Sequence, residues 1–123
     1  MGQYFKVVNL DKEEEMNPHD FLCGAKLPEM MGGLIMYALA LLLADGSGRN
    51  EFDSDSPLIG SWAGDRIVIV GDYAKSGLYD SDYRNISEEM IRLLYREQFY
   101  REWLEQGAFE SEPERLRQIL AAA

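Results

Sequence analysis

Three features of the sequence predict an α+β domain: a β-branched and aromatic run near the start, YFKVVNL; a leucine-rich run of helical length, MMGGLIMYALALLLA; and a second β-branched run, RIVIV, between glycines. The expected architecture is a small, mainly antiparallel sheet packed on the apolar helix, with two C-terminal helices completing it. At 123 residues the chain is expected to form one globular domain, 1–123, with a core large enough to need no disulfide or metal.

The elements follow in order. Tyr4 to Leu10 reads as the first strand, closed by the charged DKEEE run as a solvated turn. NPHDFLCGAKLP has turn residues and no period, and leads into a helix over residues 28–44 with Pro28 in its first turn. That helix has no continuous polar face, so Ala40 is expected to be buried among Leu39, Leu41, Leu42 and Leu43. Gly46 is expected to end it, and RNEFDSDSP follows as a polar loop. PLIGSW and RIVIV, separated by Ala63, Gly64 and Asp65, read as a β-hairpin over residues 57–71. Its second strand is apolar on both faces and is expected to be central. After the polar KSGLYDSDYRN, Ser87 is the expected N-cap of a helix running to Gly107, with Ile86 and Ile91 as a hydrophobic staple. A capping box at Ser111 to Glu114 opens the last helix, over Glu112 to about Ala122.

Charge narrows the partners. Twelve basic against 22 acidic side chains give a net charge of -10, which repels nucleic-acid polymers and anionic membranes while leaving small anions possible in a local pocket. The apolar run from Met30 to Ala44 is shorter than the roughly 20 residues of a bilayer span. MGQYFKVV has neither a basic segment nor an apolar one behind it and is not read as a targeting segment. One cysteine, Cys23, forms no internal disulfide, so the expected compartment is the cytoplasm.

Several chemistries lack their residues. One histidine and one cysteine do not make a zinc site, and the EFDSDSP and YDSDY aspartates lack the glycine and glutamate of a calcium loop. GSGRNE follows a helix, where a dinucleotide fingerprint follows a strand. No nucleophile elbow, Walker loop or HExxH is present, and neither metal nor cofactor is expected.

The best candidate cluster is Trp62, Asp65 and Arg66. An indole stacks on planar rings, a guanidinium forks to phosphate or carboxylate, and a carboxylate orients either. The competing reading places Trp62 in the core and pairs Asp65 with Arg66. Projected around a helix, Met90, Ile91, Leu94, Tyr95, Phe99, Tyr100, Trp103 and Leu104 cover nearly the whole circumference. That exceeds what one apolar stripe requires, so Tyr95, Phe99, Tyr100 and Trp103 are expected at a homo-oligomer interface.

GSWAGDRIVIVGDY, with YFKVVNLDKEE and NPHDF, resembles a family of short proteins of prokaryotes and their viruses that carry a similar strand, Pro-His segment, Leu-rich helix and WAGDR hairpin. The resemblance spans about three fifths of the chain and implies no activity. It singles out His19, Trp62, Gly64, Asp65, Arg66, Asp72 and Tyr73. The functional expectation is a non-enzymatic, oligomeric binding module for a small anionic or nucleotide-like ligand held by Trp62, Arg66 and Lys26. In a virus it would act in the host cytoplasm by sequestering a signalling nucleotide. The alternatives are a small enzyme using His19 with Asp65 or Asp72, and a structural protein-interaction subunit with no small ligand.

Overall fold

The first strand forms as its β-branched residues require, as β1, Phe5–Asn9, in a computed structural model that describes residues 3–46, 56–96, 101 and 113–121. It is the hub of a four-stranded mixed sheet. β2, Glu14–Met16, and β3, Ile67–Gly71, flank it antiparallel, and β4, Arg84–Asn85, lies parallel to the outer side of β2. The order is β3-β1-β2-β4. The DKEEE run is therefore a turn that continues into a strand. Asn9 makes this possible: its Oδ1 accepts the amides of Asp11 and Lys12, both at 2.8 Å.

The hairpin over residues 57–71 does not form. Residues 57–64 are consecutive turns, and RIVIV pairs with β1 instead. The reason lies at a helix end. The apolar run divides at Gly32 and Gly33 into α1, Leu27–Met31, and α2, Leu34–Leu43, and the last carbonyls of α2 need donors. The Gly60 amide donates to the Leu41 carbonyl at 2.8 Å and the Trp62 amide to that of Leu42 at 2.9 Å. Gly60 has φ +78, and a Cβ there would sit 2.6 Å from the Ala44 carbonyl oxygen, so this close approach requires glycine. The helix itself ends on Ala44 with φ -63 rather than on Gly46.

Among the described residues the apolar β3 strand is also an edge and not central, because β1 takes that place. Val70 is buried, yet Ile69 is 40% exposed. Only one side of α2 enters the core, through Leu34, Ile35, Ala38 and Leu42. Ala40 instead lies on the exposed side, next to the partly exposed Leu39, Leu41 and Leu43, so of the four leucines expected around it only Leu42 is buried.

α3 begins at Ser87 and is described to Tyr95; α4 covers Pro113–Ala121. Ser87 is not the cap: its hydroxyl accepts the Asn17 amide at 3.0 Å, while Asn85 Oδ1 accepts the Ser87 amide at 2.9 Å. The expected helix between Tyr95 and Gly107, the capping serine at 111 and the loop RNEFDSDSP lie wholly or mostly outside the described residues.

The two faces of the sheet differ. Val7 and Met16 face the helices, in one cluster with Phe21, Leu34, Trp62, Met90 and Leu116. On the other face Lys6 and Glu15 form a buried ion pair at 3.0 Å, under the ring of Tyr79, whose centroid is 5.1 Å from Lys6 Nζ. Tyr79 belongs to a 3-10 turn, Leu78–Asp80, that packs against β1 and β3 and closes this face. Burial, then the nearby carboxylates, pushes the Tyr79 hydroxyl pKa up.

Candidate functional site

Trp62, Asp65 and Arg66 are brought together as a clamp on the β1–β2 turn. The Trp62 ring is wholly buried, and its Nε1 donates to Glu14 Oε1 at 2.8 Å. No face of the indole is open to stack on a ligand, which corrects the expected role. Glu14 is held from its other side by Arg84, which also donates to Glu89 at 2.6 Å. The pKa of Arg84 is raised, mainly by its bond to Glu14.

Asp65 and Arg66 do not pair with each other. Asp65 Oδ2 accepts from Asn9 Nδ2 at 2.9 Å and from Lys12 Nζ at 2.6 Å, which hold its carboxyl below the usual range, Asn9 most strongly. Arg66 turns to Asp11: its amide donates at 2.7 Å, Nε at 3.0 Å and Nη2 at 2.8 Å. The backbone bond is the first cause of the lowered Asp11 pKa, and the same pairing raises that of Arg66. Gly64, with φ +81, turns the chain between the indole and this pair. The side chains of Trp62, Asp65 and Arg66 are thus all engaged in fastening the turn.

The other predicted residues sit at the opposite end of β1. Tyr4 marks that end: its amide donates to Asp72 Oδ1 at 3.1 Å, and its ring meets that of His19 edge-on at 6.1 Å between centroids. Tyr73 follows Asp72 and is 60% exposed; Lys26 adjoins Ala25, whose carbonyl accepts from Phe5. From Tyr4 to Asn9 the strand covers roughly 17 Å. Lys26 therefore does not join Trp62 and Arg66, and His19 does not approach Asp65. His19 and Asp72 share the Tyr4 end, without a hydrogen bond between them.

Sequence reasoning passed over a second basic pair. Arg92 and Arg96 stand one turn apart on α3, facing a cleft of about 340 Å³ lined also by Ser56, Leu58, Glu89 and Leu93. Arg92 is held in place by its Nη1 bond to the Ile119 carbonyl of α4 at 3.0 Å. Arg96 is exposed, and among the described residues neither arginine has a carboxylate within ion-pair distance. Glu89, the one acid in the lining, is engaged by Arg84. The i, i+4 spacing in RLLYR was the available signal; the wall from Ser56 and Leu58 was not visible in it.

Of the proposed interface residues, Tyr95 is half-buried with the Arg101 guanidinium 5.3 Å from its ring centroid, while Phe99, Tyr100 and Trp103 lie outside the described residues. Among the described residues no group of three or more His, Cys, Asp or Glu is placed to hold a metal ion, and no helix is long and apolar enough to cross a membrane. The site and fold together define an α+β domain with a basic cleft on an acidic surface. Comparison of the chain with protein-family models, with curated proteins and with solved structures finds no match.

Proposed function

We propose that the protein is a non-enzymatic binding module for a small anionic ligand, a compact phosphate- or carboxylate-bearing molecule, seated in the cleft on α3. The observation that carries this reading is the Arg92–Arg96 pair, which has no carboxylate partner among the described residues, in a chain of net charge -10. Elsewhere acids take up several of the arginines, as at Arg66, Arg84 and Arg115. Two guanidiniums a helical turn apart converge on one anion, and charge-assisted bonds to it are shorter and stronger than neutral ones. The volume suits a small metabolite. Leu58 and Leu93 supply an apolar wall for its body, and no aromatic ring lines the cleft, so a nucleotide would be held by its phosphates rather than by its base.

Calorimetric titration with pyrophosphate, ADP and citrate tests the proposal. At least one should bind the wild type, and Arg92→Gln combined with Arg96→Gln should weaken it at least about tenfold. The ligand should be recovered unchanged after denaturation, whereas a converted ligand would favour an enzyme. The reading fails if none of the three binds, or if the double variant binds as the wild type does.

A further inference from the structure

We propose that β3 pairs antiparallel with β3 of a second copy of this chain, about a two-fold axis through Ile69, joining two sheets into one. The proposal is independent of the α3 cleft. It rests on the open edge of the sheet and on where its charges stand.

Among the described residues, β3 has a strand neighbour only on its β1 side. The bonds at the two ends of the β1–β3 ladder, from the Leu10 amide to the Arg66 carbonyl and from the Asp72 amide to the Tyr4 carbonyl, both 2.9 Å, set the alternation. Even-numbered residues 66–72 direct their backbone groups toward β1, and Ile67, Ile69 and Gly71 direct theirs outward. The Ile69 side chain is 40% exposed. No residue from Ile67 to Gly71 is charged or proline, so the strand itself carries neither of these two devices against pairing.

The flanking charges specify the occupant. Arg66 and Asp72 stand three residues to either side of Ile69. Antiparallel pairing centred there sets Ile69 against its own copy, Val68 against Val70 of the partner subunit, and Arg66 against Asp72 of the partner subunit. Directly opposed residues share a face, and the Arg66–Asp72 positions fall at non-hydrogen-bonded sites, where side chains approach closest. Arg66 spends Nε and Nη2 on Asp11, and Asp72 spends Oδ1 on the Tyr4 amide, which leaves Nη1 and Oδ2 for the new pair. The two-fold repeats that pair at the other end, so the contact closes at a dimer. Any other register leaves both charges without their complement. The Gly71 carbonyl accepts from the Ala74 amide at 3.0 Å, so the chain turns away after Gly71 and the shared ladder stops there.

Sedimentation velocity of the full chain across the micromolar range, with amide hydrogen exchange at the same concentrations, tests this. The wild type should dimerise, and the Ile69 amide should gain protection as dimer forms. Ile69→Lys, which sets two cations together on the axis, should weaken the dimer at least tenfold. Arg66→Asp and Asp72→Arg should each weaken self-association, and an equimolar mixture of the two should form heterodimers, because both ends are then complementary again. A wild type that stays monomeric overturns the proposal. So does a dimer that is indifferent to Ile69→Lys and whose Ile69 amide exchanges at the same rate at every concentration.

Discussion

The segment 60–66 and the 89–96 face of α3 both carry arginine beside apolar residues, and they spend it differently. Around residues 60–66, Arg66 meets Asp11, Lys12 meets Asp65 and the Trp62 indole meets Glu14. Along α3, Arg92 gives one nitrogen to a carbonyl and Arg96 faces an open cleft. A concentration of chemically capable residues therefore does not by itself make a site. In this acidic chain many cations are paired with carboxylates, and the informative ones in a cleft are those that no carboxylate among the described residues has neutralised.

Five experiments break or sharpen this contrast. The largest effect is expected at Trp62, where Trp62→Ala empties a wholly buried indole site and removes the Glu14 donor. Urea denaturation should show a loss of about 3–5 kcal/mol. A loss under about 1 kcal/mol would mean that the 60–66 segment is not structural in the way described.

Arg96→Ala should leave the melting temperature unchanged, since Arg96 is exposed and makes no ion pair among the described residues, while affinity for the anion that binds best falls about tenfold. Thermal melts and calorimetry on one preparation separate the two quantities. Arg66→Ala should show the opposite pattern: a small drop in melting temperature, limited by the solvent exposure of the pair, and unaltered anion affinity. If Arg66→Ala abolished binding in a fully folded sample, the two regions would exchange roles.

The smallest effect is on pH dependence. Asp11 and Asp65 both have folded pKa values below their ordinary ones, Asp11 chiefly through the Arg66 amide and Asp65 through Asn9. A group lowered in this way adds stability above about pH 4, and that contribution disappears as pH falls through the folded value. Chemical denaturation should therefore show a shallower acid loss for Asp11→Asn with Asp65→Asn than for the wild type. Sulfate binding at the arginines should stay flat from about pH 5 to pH 8, because guanidinium does not titrate there.

Much of this molecule is legible in local pattern. β-branched density marks Phe5–Asn9 and Ile67–Gly71, apolar length marks the α1–α2 region, and the positive-φ turn at Gly64 stands out beside Asp65. These depend on backbone propensity and burial, which act over a few residues, so the α+β class and the two C-terminal helices could be read directly. Partner choice could not. Residues 57–62 look like a strand, but the carbonyls of Leu41 and Leu42 recruit the amides of Gly60 and Trp62, and a helix end some 20 residues away decides the matter. The same holds for the candidate site. Arg92 and Arg96 announce a shared face of α3 by their spacing, whereas the cleft exists only because Ser56 and Leu58 are folded against that face. Trp62, the most conspicuous ligand-binding candidate in the sequence, lost its exposed face to a contact with Glu14 that lies 48 positions away along the chain. Side-chain type sets what a residue is able to bind; long-range packing and the competition among carboxylates set which residues remain available to bind it.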